Sequence, residues 1–345
     1  MEQRIGYIDS LRGFAIILVV MTHITTYCFC GNYFSFNDVL SVFRMPLFFF
    51  IGGFVMNRPG KFDGWRLKDW GRFIGKKILP LTVPAILFIL LYSLLYNHSL
   101  SGIITDSSKG GYWFTLVYLA FYLFWTVLYV FLGGICKMKG RTVVSLCLLA
   151  GIGIYLGSFF IVSPFNPWKN ITVNKILSIW HMHYFLYFTA GAFVRFFQEK
   201  FTRLLGNQVF LFTAVLVFFA GSIFRIRHDS NIVFTAMEPF LALSSIAISF
   251  FLFKTNEELL SGKSAVGKAL NYIGRYTLDI YLLHILLIPW NLKIIGKFFE
   301  TNPSPTLEFI LSFLIAAVVV GLCLLISRLI RSSDIMSKIV FGRVI

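Results

Sequence analysis

Apolar residues form runs of about 20 positions that recur along the whole chain, and short polar segments separate them. A helix rises about 1.5 Å per residue, so a run of this length crosses the hydrocarbon core of a bilayer. Transmembrane β-strands would instead alternate apolar and polar residues over about 10 positions. The pattern predicts ten membrane-spanning helices, at residues 11–30, 38–57, 78–97, 112–135, 143–163, 177–196, 207–225, 233–253, 271–292 and 307–328.

The composition agrees with a membrane protein. Hydrophobic residues make up 57% of the 345 positions and charged residues only 13%, whereas soluble domains carry about 25% charged residues. The polar segments are all short. We therefore expect an all-α polytopic membrane protein in which residues 1–345 form a single domain with no appended soluble domain.

The net charge of +16 comes from an uneven distribution of basic residues. If the N-terminus is cytoplasmic, the cytoplasmic segments hold 22 Lys and Arg residues and the external loops hold 7. Basic residues concentrate on the cytoplasmic side of membrane proteins. This bias predicts that both termini are cytoplasmic, and it favours contact with membrane lipids over binding of nucleic acid.

The first predicted span, "IDSLRGFAIILVVMTHI", carries Asp9, Arg12 and His23 among apolar residues. His23 follows Arg12 by 11 positions, so the two share a helix face, about 16 Å apart along the axis. An ionisable group within a span is costly and usually serves a function. The alternative is a snorkelling Arg12 and a structural, hydrogen-bonded His23. Asp9 is expected to cap the helix and pair with Arg12.

Basic residues occur at two further places before the third span. Arg44 lies within the second span, before Pro46 and a Gly52-Gly53 pair that allows close helix approach; a structural ion pair is its alternative role. The basic segment 58–77 suits anionic lipid headgroups and equally a phosphorylated cofactor. Within that segment, basic side chains gather on one side of a helix start, namely Arg72, Lys76 and Lys77.

The ninth span, in "IGRYTLDIYLLHILLIPW", contains Asp279, Tyr281 and His284. Arg275 and Asp279 are four residues apart, which predicts an ion pair on one helix. We interpret Asp279, Tyr281 and His284 as structural support for the span. His181 and His183 point in different directions on a helix, and no third ligand has a suitable spacing, so no metal is expected.

Several segments together resemble the acyltransferase-3 family of multi-pass bacterial membrane O-acyltransferases. "IDSLRGFAIILVVMTH" resembles its opening pattern, with Arg12 and His23 at the characteristic positions, and "FRMPLFFFIGGF" resembles its second span, with Gly52 where many members carry serine. "RFIGKKILPLTVP" resembles its basic loop, and "IGRYTLDIYLLH" its closing segment. "HYFLYFTAGAFVRFF" is similar to the fucose-acetylase-like branch.

The resemblance implies an enzyme of the bacterial inner membrane and cell envelope. Its donor would be cytoplasmic acetyl-CoA, and its acceptor a hydroxyl of a periplasmic or lipid-linked glycan. Arg72, Lys76 and Lys77 would then contact the CoA phosphates, and Arg12 the pantetheine arm. His23 would act as general base or as a transient acyl carrier, and Arg44 would stabilise the oxyanion.

Two other function classes compete with this hypothesis. A transporter or flippase for a glycan or lipid-linked intermediate would also use many spans and intramembrane charges, although no inverted repeat is visible in the sequence. A scaffold for a polysaccharide-export complex would need no histidine within a span. The stripe of Arg12 and His23 favours the enzyme.

Overall fold

The computed structural model describes residues 5–29, 36–62, 64–162, 175–176, 178–227, 232–289 and 292–342. All regular secondary structure in these ranges is helical. The α-helices are α1 (Gly6–Cys28), α2 (Phe36–Met56), α3 (Leu67–Tyr96), α4 (Leu100–Thr105), α5 (Trp113–Tyr129), α6 (Gly140–Val162), α7 (Phe185–Phe196), α8 (Gln198–Leu205), α9 (Gln208–Arg227), α10 (Ile232–Thr255), α11 (Ala265–Arg275), α12 (Thr277–Leu287), α13 (Lys293–Thr301), α14 (Pro305–Ile330) and α15 (Asp334–Phe341). Short 3-10 segments occur at Lys109–Gly111 and Ile179–Tyr184, and π-helical turns at Val130–Ile135 and Leu259–Lys263.

Among the described residues, seven helices are long and apolar enough to cross a membrane. They are Gly6–Cys28, Phe36–Met56, Lys68–Tyr96, Trp113–Ile135, Gly140–Ser158, Met237–Thr255 and Pro305–Ile330. An eighth span results if α8 and the following helix to Phe224, which meet at a bend of 78°, are counted together. The polytopic all-α fold is confirmed, whereas the expected number of ten spans is not.

Breaks within helices explain why fewer spans are found than the ten expected. The expected span 177–196 begins with a 3-10 segment, and its α-helical part, α7, has only 12 residues, about 18 Å of helix. The expected span 271–292 is divided at Tyr276 into α11 and α12. Residues 30, 163, 177, 290 and 291 of the expected spans lie outside the described part of the chain. The orientation of the termini stays a prediction.

The described chain divides into two compact units. The first comprises Met1–Phe48 and Glu199–Arg328, and the second comprises Phe49–Gln198 and Leu329–Ile345. Helix α2 contributes residues to both units. The residues of highest chemical interest, His23, Arg44 and His284, all belong to the first unit.

Helix α1 is central to the first unit, where it lies against α10, α11, α12 and the turn Leu259–Lys263. It crosses α11 with backbone against backbone: a β-carbon on Gly13 would collide with the carbonyl oxygen of Leu270, and one on Gly274 with that of Asp9. Only glycine permits so close an approach. The crossing fixes α1 against α11, and therefore against α12, which follows α11 after one residue.

Polar contacts reinforce this crossing at the start of α1. The Ser10 hydroxyl donates a hydrogen bond to the carbonyl oxygen of Leu260, and Asn271 Nδ2 donates to the carbonyl oxygen of Gly6 at 2.9 Å. Both bonds join a side chain of one segment to the backbone of another. The beginning of α1 is thus tied to the segment that leads into α11.

The second unit has an aromatic core built from α2, α3, α5 and α7. A second glycine crossing organises it, because a β-carbon on Gly53 would collide with the carbonyl oxygen of Phe188 and one on Gly191 with that of Phe50. The close approach expected at Gly52-Gly53 is confirmed at Gly53. The large side chains buried in this unit include Phe49, Phe54, Phe88, Tyr112, Phe121, Trp125, Phe185, Tyr187 and Phe188.

A buried lysine closes the loop between α4 and α5 in the second unit. Lys109 Nζ donates hydrogen bonds to the carbonyl oxygens of Ile104, Asp106 and Lys175 at 2.8, 2.7 and 2.7 Å. Burial lowers the pKa of this ammonium group, but its three donors are all satisfied. Lys109 therefore has a structural role, because its ammonium group joins three backbone carbonyls.

The first-unit crossing yields a stability prediction. Gly274→Ala adds a methyl group where α1 and α11 touch, so we expect it to destabilise the protein by about 1–3 kcal/mol, the usual cost of overpacking. Gly321→Ala on α14 is the matched control, because a β-carbon there meets no atom within 4 Å. Thermal unfolding in detergent compares them. Equal melting temperatures would show that the crossing does not limit stability.

Candidate active site

Two histidines from distant parts of the sequence meet in the first unit. His23 lies on α1 and His284 on α12, and Nδ1 of His23 is 2.7 Å from Nε2 of His284. The ring centroids are 5.0 Å apart, with an angle of 4° between the ring planes. A nitrogen–nitrogen distance of 2.7 Å is that of a hydrogen bond. The two imidazoles therefore form one hydrogen-bonded pair.

The two members of the pair differ in their surroundings. His284 is fully buried, its Nδ1 is 3.0 Å from the carbonyl oxygen of Ile280, and the Tyr281 ring centroid lies 5.9 Å from its own. His23 is only half-buried, with the Tyr27 ring one turn further along α1 at 5.7 Å. His23 is therefore the more exposed residue of the pair, whereas His284 is enclosed by protein.

Arg44 supplies a permanent positive charge near this pair. It lies on α2, is half-buried, and is close enough to interact electrostatically with the rings of both His23 and His284. Guanidinium groups donate several hydrogen bonds in a fixed plane and favour oxygen anions. An imidazole base beside such a group has the components needed to deprotonate a hydroxyl and stabilise an oxyanion.

Arg12 and Asp9 form the ion pair expected from their spacing, with Arg12 Nη1 3.6 Å from Asp9 Oδ1. The expected capping role of Asp9 is wrong. Helix α1 begins at Gly6, its N-cap is Ile5, and no side chain caps it, so Asp9 already lies within the first helical turns. There its charge still favours the helix dipole. Arg12 is half-buried on the helix that carries His23.

Asp279 is part of a different contact from the one predicted. The helix breaks at Tyr276, so Arg275 and Asp279 are not four residues apart on one continuous helix. Arg275 is exposed, whereas Asp279 is fully buried, and its Oδ2 accepts a hydrogen bond of 2.5 Å from Ser327 Oγ on α14. This short hydrogen bond ties α12 to α14.

The basic residues expected to contact CoA lie on α3, in the second unit. Arg72 and Lys76 are exposed and Lys77 is half-buried. Lys77 Nζ lies 5.1 Å from the centroid of the Tyr122 ring, a cation–π contact. Arg72 and Lys76 are one turn apart and project from a common face, so both are accessible to an anionic group in solution.

The contact between His23 and His284 was missed by the sequence interpretation, which assigned His284 to structural support. The residues are separated by 261 positions, and no periodicity relates positions so distant. One signal was present: each histidine lies in an apolar segment, and a buried polar group needs a partner. Two such groups in one chain are natural partners for each other.

Comparison with known proteins identifies the family of the chain. A family model described as an acyltransferase domain, of the acyltransferase-3 type, matches residues 5–328. No curated protein and no solved structure matches the chain. The match begins at α1 and ends within α14, so it includes both histidines of the pair. The chain therefore belongs to the acyltransferase-3 family, as a membrane acyltransferase.

Proposed function

We propose that the protein moves an acyl group, most simply acetyl, from acetyl-CoA to a hydroxyl of a cell-surface glycan or a lipid-linked sugar. The observation that carries this proposal is the hydrogen-bonded pair of His23, on a membrane-spanning helix, and His284, with Arg44 close enough to interact with both rings. The proposed place of action is the inner membrane of a bacterial cell envelope.

In the proposed reaction, His23 acts as general base. It removes the proton from the acceptor hydroxyl as the oxygen attacks the thioester carbonyl carbon, and the resulting oxyanion is stabilised by Arg44. When the tetrahedral intermediate breaks down, the carbon–sulfur bond is cleaved, and His23 returns the proton to the CoA thiolate. A route in which His23 first carries the acyl group itself uses the same residues.

The donor is proposed to bind through its charged and extended parts. Arg72, Lys76 and Lys77 suit the CoA phosphates, because lysine and arginine both pair with phosphate oxygens. The pantetheine arm is proposed to follow α1 past Arg12 toward His23, since these two residues share a face of one helix, about 16 Å apart. The arm is long enough to reach from one to the other.

A transporter for a glycan or lipid-linked intermediate is the second candidate function. Helices interrupted within the membrane are typical of transporter binding sites, and α11 and α12 are separated by a break at Tyr276. Against this, the family model describes an acyltransferase. Formation of an ester bond distinguishes the two functions.

Removal of the base tests the proposed chemistry. We expect His23→Ala to lose about 10²–10⁴-fold in acyl transfer, the usual contribution of a positioned general base, while the protein still inserts and purifies. Alkali-labile acetate on the surface glycan of a deletion strain carrying each variant is the measurement. His98→Ala, at an exposed position, is the matched control. Full acetylation by His23→Ala would contradict the assignment.

Donor binding has its own test. Combined Arg72→Ala, Lys76→Ala and Lys77→Ala should weaken the binding of acetyl-CoA to the protein in detergent, because contacts between phosphates and basic side chains are lost. Wild-type affinity should also fall as salt rises. Isothermal titration calorimetry measures both effects. Arg331→Ala, a change of one basic residue just after α14, is a control, and unchanged affinity in the triple variant would assign the segment to lipid.

The two sides of the membrane are expected to supply different substrates. In sealed proteoliposomes, radiolabelled acetyl-CoA on the side of the 58–77 segment should acylate a glycan on the opposite side, because the positive-inside distribution predicts that this segment is cytoplasmic. Maleimide labelling of exposed Cys136 in a Cys30→Ser background reports the orientation. Acylation only when both substrates share a compartment would reject the transmembrane route.

A further inference from the structure

We propose that His284 is the positioning residue of the active site: it holds His23 in the tautomer whose Nε2 is the base, and it shares the proton that His23 receives. The catalytic consequence rests on the proposed acyl transfer. The assignment of protons does not, because it follows from hydrogen-bond partners in the resting protein. It gives His284 a role beyond fastening α12 to the core.

The assignment starts from the backbone carbonyl of Ile280. A carbonyl oxygen only accepts hydrogen bonds, and it lies 3.0 Å from Nδ1 of His284. Nδ1 of His284 must therefore carry a hydrogen and donate it. In a neutral imidazole the other nitrogen is then an acceptor. The network, as is usual for histidine, decides the tautomer, and here it leaves His284 Nε2 with its lone pair.

That lone pair fixes the tautomer of His23 in turn. His23 Nδ1 is 2.7 Å from His284 Nε2, and since His284 Nε2 is an acceptor, His23 Nδ1 must be the donor. The hydrogen of neutral His23 is therefore on Nδ1. Its Nε2 keeps a lone pair, and this is the nitrogen that can take a proton from an acceptor hydroxyl. Each bond in the series, from Ile280 through His284 to His23, points in one direction.

The pair also provides for the proton during the reaction. When His23 Nε2 binds the hydroxyl proton, His23 becomes an imidazolium. Its Nδ1 hydrogen can shift to Nε2 of His284, which makes His284 the imidazolium with hydrogens toward both Ile280 and His23. The reverse shift restores His23 before the proton passes to the CoA thiolate, so no proton is gained or lost. A charge shared by two rings is easier to hold at this site than a charge on one ring.

Burial gives the two histidines different functions. His284 has 0% relative exposure, so a substrate cannot reach it, and both its nitrogens are already engaged. His23 is half-buried and has one engaged nitrogen within the pair. The backbone crossing at Gly13 and Gly274 holds α1 against the α11–α12 segment. Together these features keep the two histidines within hydrogen-bond distance. They make His23, and not His284, the residue that contacts the substrate.

Nitrogen NMR of histidine-labelled protein in lipid nanodiscs tests the proton assignment without any substrate. In wild type we expect both His23 and His284 to be Nδ1–H tautomers, with signals assigned by loss in His23→Ala and in His284→Gln. In His284→Leu the acceptor is gone, and His23 should populate the Nε2–H tautomer as well. A His23 signal of the Nε2–H form in wild type would overturn the proposal.

Kinetics with radiolabelled acetyl-CoA and unacetylated surface glycan from a deletion strain test the catalytic part. His284→Leu should lower kcat by about 10²-fold or more, the scale of lost orientation and proton sharing, with KM for acetyl-CoA unchanged. His284→Gln keeps an acceptor for His23 Nδ1–H but cannot become charged. Its kcat should therefore lie between that of wild type and that of His284→Leu. His98→Leu, at an exposed histidine, should match wild type.

The outcomes separate this inference from the proposed function. Wild-type kcat in His284→Leu would overturn the role of His284 even if His23→Ala is inactive. If the wild-type protein forms no ester, the acyl-transfer proposal fails, and the NMR result alone then decides whether His284 positions His23. If His284→Leu does not fold, the wild-type spectrum and the partial activity of His284→Gln still support or overturn the proposal.

Discussion

The candidate active site depends on a contact between two helix backbones. At the crossing of α1 and α11 there are no side chains between the helices, because Gly13 and Gly274 face each other's main chain. Axial displacement of α1 by one residue would move His23 by about 1.5 Å, enough to break its bond to His284. Because α12 follows α11 after a single residue, the crossing fixes the positions of both His23 on α1 and His284 on α12. The position of His23 beside His284 therefore depends on the absence of side chains at Gly13 and Gly274.

Much of this architecture could be predicted from the sequence, because it depends on local patterns. The long spans follow from apolar length alone, and the shared face of Arg12 and His23 follows from helical periodicity. The pairing of Asp9 with Arg12 is a neighbour effect on one helix and is confirmed. The close approach at Gly53 could be anticipated since small residues in a span have few other uses.

The features that could not be predicted are non-local or depend on helix ends. The bond between His23 and His284 joins segments 261 residues apart, and no repeat encodes it. The break at Tyr276 turns one expected span into two helices, and it also removes the basis for pairing Arg275 with Asp279. Ser327, the donor to Asp279, had no distinguishing pattern. The glycines do follow a local pattern, since Gly6 and Gly13 on α1 lie two helical turns apart on one face, and so do Gly267 and Gly274 on α11.

The distance along the chain between the two histidines has a consequence for biosynthesis. A ribosome adds about 5–20 residues per second, so the 261 residues between His23 and His284 take roughly 13–50 s to make. During this interval α1 is present without the surface that covers Gly13, Ser10 and His23. The second unit, by contrast, draws most of its residues from the continuous stretch 49–198 and can pack while the rest is synthesised. Nascent α1 therefore keeps its polar face uncovered until α11 and α12 have been made.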